Sequence, residues 1–304
     1  MYYLVYGFLY IFSLLPFPVL YFISDGIYFI LYYLIGYRKK VVMDNLTIAF
    51  PEKTKLEKII ISKKFYKNFV DSFLETIKAI SMSDREFDKH CSGNFELINE
   101  VSKSGRNIQL LGGHLFNWEY GNLVTSKNIN IPSIGIYSDI ENKIFDKVFY
   151  KLRSRYNTIL ISTKSFKRDM TRKMRQQHVM CIAADQNPSN LTNAYWLDFF
   201  GRLTPFIPGP FKAAVKNNPV IFLVSFEKTS RGHYRFDFGR LIENAHEYTP
   251  EQLIVIYKNH LQEIIKHHPE IYLWSHRRWK NSYKDEYQNN KIDESFSSSV
   301  PASS

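Results

Sequence analysis

The sequence predicts an α/β fold in which a mixed sheet is flanked by helices, preceded by an N-terminal hydrophobic membrane-anchor helix. From about residue 107 onward, short apolar runs alternate with amphipathic stretches, as strands alternate with helices in such folds. The segment Met1 to Gly36 is instead almost uniformly apolar, and Asp25 is its only charged side chain. The 304-residue chain is long enough to bury a sizeable core. We therefore expect an anchor over 1–37, one folded domain over 38–281 and a disordered polar tail over 282–304.

The apolar block is long enough to cross a hydrocarbon layer of about 30 Å, which takes about 20 residues. Pro16 and Pro18 interrupt it, so it predicts either one kinked helix or a hairpin that enters the membrane and returns. A signal peptide is disfavoured because no basic segment precedes the block. A pair of core helices in a soluble protein is the remaining alternative. The basic run 38–40 that follows indicates that the rest of the chain faces the cytoplasm.

The later elements follow from hydrophobic periodicity and turn signals. Residues 38–51 are expected to form a short connection, and 52–81 a long amphipathic helix. Strands are predicted over 108–111, 131–137, 158–161, 179–184, 220–227 and 233–238. Helices are predicted over 117–126, 141–155, 165–176, 211–216 and 249–267. The stretch 187–208 is expected to be irregular because it is rich in Pro, Asn and aromatic residues.

Charge and composition narrow the class of partner. Lys and Arg number 40 against 29 Asp and Glu, a net charge of +11 that favours anionic partners. The sequence contains no helix-turn-helix, zinc-finger or RNA-binding signature, so we expect no nucleic acid. The two cysteines lack C-x-x-C spacing and predict no disulfide framework. The adjacent His267 and His268 face different ways on a helix, so we expect no metal and no cofactor.

The strongest chemical signal is a predicted strand that runs into Gly112, Gly113 and then His114. Sites of α/β proteins form at strand ends. Asn117 is a good helix cap, and Glu119 falls in the first turn of that helix. A carboxylate there can fix the tautomer of His114 and leave the other ring nitrogen to take a proton from a hydroxyl. The alternative is a loop histidine satisfied by the helix cap.

Five segments, in order along 38–280, resemble the bacterial lipid A biosynthesis (late) acyltransferases, within the H-x4-D/E glycerolipid acyltransferase superfamily. The H-x4-E spacing of His114 and Glu119 matches the first superfamily motif. The other four are Arg38 through Pro51, Asp185-Gln186, Phe199 to Pro210 with its F-F-G…T…G-P pattern, and Trp274 to Lys280.

The resemblance implies an acyltransferase in which a catalytic domain over 38–281 faces the cytoplasm from the bacterial inner membrane. The donor would be acyl carrier protein or acyl-CoA, and the acceptor a hydroxyl of a lipid A precursor. In that interpretation His114 is the general base and Glu119 holds it. Arg155, or backbone amides near Gly112 and Gly113, would stabilise the developing oxyanion.

The remaining candidate site residues would bind substrate. Arg153 and Arg155 lie in an R-x-R-Y-N element where the family has Gly in place of Asn, and helix-end charge is the structural alternative for both. Asp185 either hydrogen-bonds the acceptor or anchors a loop. The other candidates for substrate binding are Asn117, Gln186, Arg277 and Arg278.

Three other functions fit part of this pattern. One is an acyltransferase for another membrane lipid, an aminolipid or a glycolipid, because the residues after Asp185-Gln186 depart from the family pattern. Another is a non-catalytic membrane scaffold that holds an acyl chain, which has no need of a base beside a carboxylate. The last is a lipid hydrolase, in which His114 would activate water.

Overall fold

A computed structural model describes residues 1–166, 168–169 and 176–292. Most of the predicted helix 165–176 and the end of the predicted tail, 293–304, lie outside the described residues. The fold is mixed α/β, as predicted: seven strands form one sheet, and helices cover it.

The helices begin and end as follows: α1 Tyr2–Ser13, α2 Phe17–Phe29 with a π-helical extension Ile30–Ile35, α3 Lys39–Ala49, α4 Lys55–Lys78, α5 Asp84–His90, α6 Phe95–Ser102, α7 Trp118–Asn128, α8 Lys143–Arg153, α9 Gly209–Asn217 and α10 Pro250–His267. Five of these ten helices, namely α4, α5, α7, α8 and α10, begin at a residue whose side chain caps the helix. The predicted long helix, for example, begins at a capping box in which Thr54 and Glu57 exchange hydrogen bonds.

The strands are β1 Cys91–Gly93, β2 Ile108–Gly112, β3 Ser133–Tyr137, β4 Ile159–Ser162, β5 Val179–Ala183, β6 Tyr195–Asp198, β7 Leu203–Phe206, β8 Val220–Ser230 and β9 His233–Ile242. The large sheet has the order β1-β9-β8-β2-β5-β3-β4, and β6 and β7 form a separate hairpin. In the large sheet, all neighbouring strands are parallel except β8 and β9, which are antiparallel.

The sheet order creates a switch point between β2 and β5. From β2 the chain crosses to β3 on the far side of β5, whereas from β5 it continues to β8 on the far side of β2. The two connections leave in opposite directions, so a crevice opens at the carboxyl ends of these strands, where ligands bind in open α/β sheets.

Three regions differ from the sequence prediction. Residues 38–51 are mostly helical, because α3 packs beside α4. The stretch expected to be irregular contains the β6–β7 hairpin. The predicted disordered tail starts too early: Tyr287 stacks on Trp196 with ring centroids 5.0 Å apart, and the amide of Ile292 donates to the Trp196 carbonyl at 2.8 Å.

Candidate active site

His114 lies on the loop between β2 and α7, at the carboxyl end of the central parallel strands. Its side chain is 24% exposed. Asp185 lies two residues beyond the end of β5, which is paired in parallel with β2. The switch point therefore brings together two residues that are 71 positions apart in the sequence.

Asp185 holds His114 through both its backbone and its ring. The carboxylate accepts the His114 amide, with both oxygens 3.1 Å from the nitrogen, and one oxygen lies 2.6 Å from ring Nδ1. Asp185 is buried, with 1% of its side chain exposed. A carboxylate on Nδ1 selects the tautomer in which Nε2 accepts a proton. Asp185 thus has the geometry that the sequence analysis assigned to Glu119.

The charges of this pair shift both pKa values. Burial by itself lowers the pKa of His114, but the negative charge and hydrogen bond of Asp185 outweigh it, so the pKa is raised above its usual value. Burial raises the pKa of Asp185, but attraction and hydrogen bonds from His114 reverse this, so the pKa is lowered. The imidazole is therefore a stronger base than an ordinary histidine.

The strand ends are fixed by close packing. The Tyr257 hydroxyl donates to the Gly112 carbonyl at 2.8 Å and accepts the Ala184 amide at 3.2 Å, so one side chain ties β2 to the end of β5. A Cβ at Gly113 would lie 2.6 Å from Leu261 Cδ1 and 3.7 Å from the Asp185 carboxyl carbon. Glycine at this position lets the backbone of the loop approach α10 and Asp185.

The residues just before the carboxy-terminal motif are hydrogen-bonded to this loop. The amide of Phe116 donates to the Ile271 carbonyl at 2.9 Å, and the amide of Leu273 donates to the His114 carbonyl at 3.2 Å. The region after the N-terminal helices supports the motif from outside: the Asn45 side-chain amide donates to the carbonyls of Trp274 and His276 at 2.7 and 2.8 Å. Two segments that carry the family resemblance are thus parts of one support for His114.

Within the motif, one arginine is buried and the next is exposed. Arg278 has 0% exposure, and its guanidinium lies 4.4 Å from the centroid of the Phe206 ring and donates to the Asn187 side-chain oxygen at 3.1 Å. Its charge also lowers the pKa of Asp185. Arg277 is exposed. The structure therefore gives Arg278 a supporting position behind Asp185, whereas Arg277 is open to solvent.

Glu119 has a different partner from the expected one. Its carboxylate forms a bidentate ion pair with Arg153, with Nε to Oε2 at 2.9 Å and Nη2 to Oε1 at 2.5 Å. Its side chain is 8% exposed and that of Arg153 20%. Glu119 faces the end of α8 rather than the imidazole, since the ring hydrogen bond of His114 goes to Asp185. Its charge still contributes to the raised pKa of His114.

Asn117 is the N-cap of α7, as predicted. Its side-chain oxygen accepts the amides of Glu119 and Tyr120 at 3.2 and 3.3 Å. Its side-chain nitrogen donates to the buried carboxylate of Glu75 at 3.2 Å. Burial raises the pKa of that carboxyl. Asn117 is itself 1% exposed, so it supports the helix that follows His114.

Arg155 is not placed beside His114. Its guanidinium donates to the carbonyls of Ala79 and Met82 at 2.7 and 2.5 Å and to the Asp84 carboxylate at 3.1 Å. These groups lie between α4 and α5, so the expected oxyanion role has no support in this arrangement. Gln186, the last predicted site residue, is half-buried on the loop beside Asp185.

A row of aromatic rings extends from His114 towards α4. The His114 and Trp118 ring centroids are 5.8 Å apart, and those of Trp118 and Phe116 are 5.5 Å apart. The row continues to Phe69 at 5.9 Å and then to Phe73 at 5.1 Å. Phe73 is 46% exposed, so a continuous row of ring contacts links the imidazole with the surface of α4.

Sequence comparison decides the class of protein to which this site belongs. The profile of the family described as bacterial lipid A biosynthesis acyltransferase matches residues 1–281. The chain belongs to this family. It is similar to the lipid A biosynthesis lauroyltransferase of Escherichia coli (strain K12), with 24% identity over 282 residues that cover 90% of this chain and 89% of the relative.

The His114–Asp185 pair is therefore found in a member of an acyltransferase family. The sequence did not assign a role to Tyr257, Glu75 or His276, each of which contacts a residue of this site or its loop. His276 Nε2 lies 3.1 Å from the Asn187 side-chain nitrogen. The W-x-H-R-R pattern contains His276, but only the fold brings it to the Asp185 side of the site. Among the described residues, no group of three or more His, Cys, Asp or Glu side chains has the arrangement of a metal site.

Proposed function

We propose that this acyltransferase moves a fatty acyl chain from acyl carrier protein or acyl-CoA to a hydroxyl of a lipid A precursor. The observation that carries the proposal is the His114–Asp185 pair, with Nδ1 and the carboxylate 2.6 Å apart, at the switch point of the sheet. Both family comparisons favour this acceptor class.

In the proposed mechanism, Nε2 of His114 takes the proton of the acceptor hydroxyl. The acceptor oxygen attacks the thioester carbonyl carbon, and the tetrahedral intermediate then expels the thiolate as the carbon–sulfur bond breaks. The imidazolium returns its proton to the thiolate, so no enzyme group is consumed. Asp185 stabilises the imidazolium formed between the two steps. Backbone amides near Gly112 and Gly113 are the proposed oxyanion donors.

The aromatic row is the proposed path of the acyl chain. Each methylene removed from water is worth about 0.8 kcal/mol, so rings between the α4 surface and His114 favour a chain laid along them. The exposed Phe73 would be the outer end and Trp118 the inner end. Arg277, exposed beside Asn187, is the proposed contact for an acceptor phosphate.

The proposed location is the inner membrane, with the site facing the cytoplasm. Among the described residues, one helix, Phe17–Ile35, is long and apolar enough to cross a membrane, and only 17% of its most apolar window is buried. The basic run that follows it favours the cytoplasmic orientation. Anionic lipid at that surface suits the net charge of +11.

The test is transfer from labelled acyl carrier protein, or labelled acyl-CoA, to a total lipid extract by the wild-type protein and His114→Ala. We expect a labelled lipid whose mass identifies the acceptor, and a loss of about 10²- to 10⁴-fold in the variant. Labelled free fatty acid without acceptor would indicate a hydrolase. Activity that survives the loss of His114, or no transfer by folded wild type, would refute the catalytic assignment and favour the scaffold.

A further inference from the structure

One face of α2 is docked along α4. Residues on this face follow one another at intervals of three or four, the spacing of a single helix face: Phe17, Tyr21, Ser24, Tyr28 and Tyr32. The Tyr21 hydroxyl donates to Glu75 at 3.0 Å, Ser24 donates to Asp71 at 2.6 Å, and the Tyr32 and Tyr66 ring centroids are 5.3 Å apart. The partners run backwards along α4, so the two helices pack antiparallel.

A charged cluster fastens the middle of the apolar helix to the folded domain. Arg231, in the β8–β9 turn, lies 2.8 Å from the carboxylate of Asp25 and 2.7 Å from that of Asp71. Lys67 lies 3.3 Å from Asp25 as well. Ser24 and Asp71 are buried at 0% and 1% exposure. If the helix crossed a bilayer, Asp25 would lie near the midplane, where an unpaired charge is costly.

The opposite face of the N-terminal helices is open and apolar. Of the 22 large exposed hydrophobic residues in the described part of the chain, 16 lie within residues 1–37. Phe8, Phe22 and Leu34 are 68%, 81% and 70% exposed. A continuous exposed apolar surface of this kind marks an interaction site.

The first helix, α1, also packs against the folded domain. Ser81, just beyond α4, donates from its hydroxyl to the Ser13 carbonyl at 2.8 Å. On α8, the ammonium of Lys147 lies 4.3 Å from the Tyr2 ring centroid, and that of Lys151 lies 4.0 Å from Tyr6. At 12 residues, α1 is about 18 Å long, too short for a bilayer core of about 30 Å.

Lysines border this apolar surface at both ends. Lys147 and Lys151 lie beside α1, whereas Lys39 and Lys63 lie over the rings of Tyr32 and Tyr33 at the end of α2. Cations at the edge of an apolar helix face are typical of helices that lie in the plane of an anionic bilayer surface.

We propose that residues 1–37 lie flat in one leaflet of an anionic bilayer and do not cross it. The docked face holds α2 to α4, which carries six Lys residues and two Glu and therefore cannot follow α2 into hydrocarbon. The apolar face of both helices enters the leaflet, and both ends of the segment remain on the side of the catalytic domain. This inference rests on the proposed membrane location but not on the acyl-transfer reaction.

The sidedness test uses the full chain with one protease site added ahead of Met1 and a second added after Ser304, in right-side-out and inside-out membrane vesicles. The carboxy-terminal site is the internal control. We expect both sites to be cut from the same face. Cutting from opposite faces would show a single crossing and overturn the proposal, and so would recovery of the protein in the soluble fraction. Neither result depends on detecting acyl transfer.

A crosslinking test separates the flat arrangement from a hairpin that crosses twice. In a background in which Cys91 and Cys181 are alanine, Ser13→Cys with Ser81→Cys is treated with a short bismaleimide in native membranes. Leu14→Cys with Ser81→Cys is the matched control, because Leu14 is 56% exposed on the outer side. We expect the 13–81 pair to crosslink at least several-fold more than the control. Equal or absent crosslinking of the 13–81 pair would overturn the docked arrangement.

Discussion

Two carboxylates follow the strand ends near His114, and they have separate partners. Asp185 comes from the neighbouring strand and binds the imidazole, whereas Glu119 comes from the H-x4-E motif itself and binds Arg153. Asp185 has 1% of its side chain exposed and Glu119 8%, so both carboxylates need hydrogen-bond donors. Sequence proximity therefore did not decide which carboxylate binds the imidazole. The order of strands in the sheet decided it.

The largest expected effect is on the rate of acyl transfer, and it tests the contact between Asp185 and His114. Asp185→Asn keeps the shape of the side chain but removes the charge that stabilises the imidazolium. We expect acyl transfer to fall by about 10²- to 10⁴-fold, measured as the initial rate with labelled donor. Asp44→Asn is the control, because Asp44 forms an exposed ion pair with Lys40 on α3. A variant within a few-fold of wild type would show that Asp185 does not assist His114.

How far the sequence predicted this site depends on the range of the interaction. Local patterns were enough for the strand ending at Gly112, for the position of His114, and for the Asn117 cap, all of which are found in the structure. The structure pairs His114 with Asp185 and not with the predicted Glu119. The reason is that the pairing of β2 with β5 is a long-range contact, which residue spacing does not reveal. Likewise, W-x-H-R-R contains two arginines, and only packing against Phe206 shows that Arg278 is the buried one.

The next largest expected effect is on stability, and it tests the ion pair between Glu119 and Arg153. Arg153→Met leaves the buried Glu119 carboxylate without its cation, which costs about 3 kcal/mol for a pair of this kind. We expect Glu119→Gln to be destabilising as well, and the double variant to be less destabilised than the sum of the two. The measurement is urea unfolding followed by tryptophan fluorescence.

The control for that cycle is the exposed pair Glu100 and Lys103, whose side chains are 68% and 70% exposed. An exposed ion pair contributes at most about 1 kcal/mol. Coupling for Glu119 and Arg153 no larger than in this control pair would show that their ion pair does not stabilise the fold. If His114 instead donated a hydrogen bond to Glu119 in the active state, Glu119→Gln would lower the rate without lowering the stability.

A third prediction concerns the pH at which transfer begins. His114 must be neutral to act as a base, and its pKa is raised because Asp185 and Glu119 outweigh the effect of burial. The rate should therefore rise with pH through that raised pKa. In Asp185→Asn the attraction is lost while the burial remains, so the residual activity should begin at lower pH. If the rise in the rate of Asp185→Asn occurred at higher pH than in the wild type, or at the same pH, Asp185 would not be the cause of the raised pKa of His114.

The smallest expected effect concerns the second histidine of the site. The pKa of His276 is lowered to about 4, because burial and the nearby charge of Arg278 disfavour its protonated form. It is therefore neutral wherever His114 changes its charge, and it cannot account for the pH limb. His276→Gln keeps an acceptor for the Asn187 side chain, so the rate should change by no more than the value of one hydrogen bond, about 1 kcal/mol or roughly fivefold. The pH–rate profile of this variant should follow the wild type, and a displaced limb would show that His276, not the His114–Asp185 pair, sets the pH dependence.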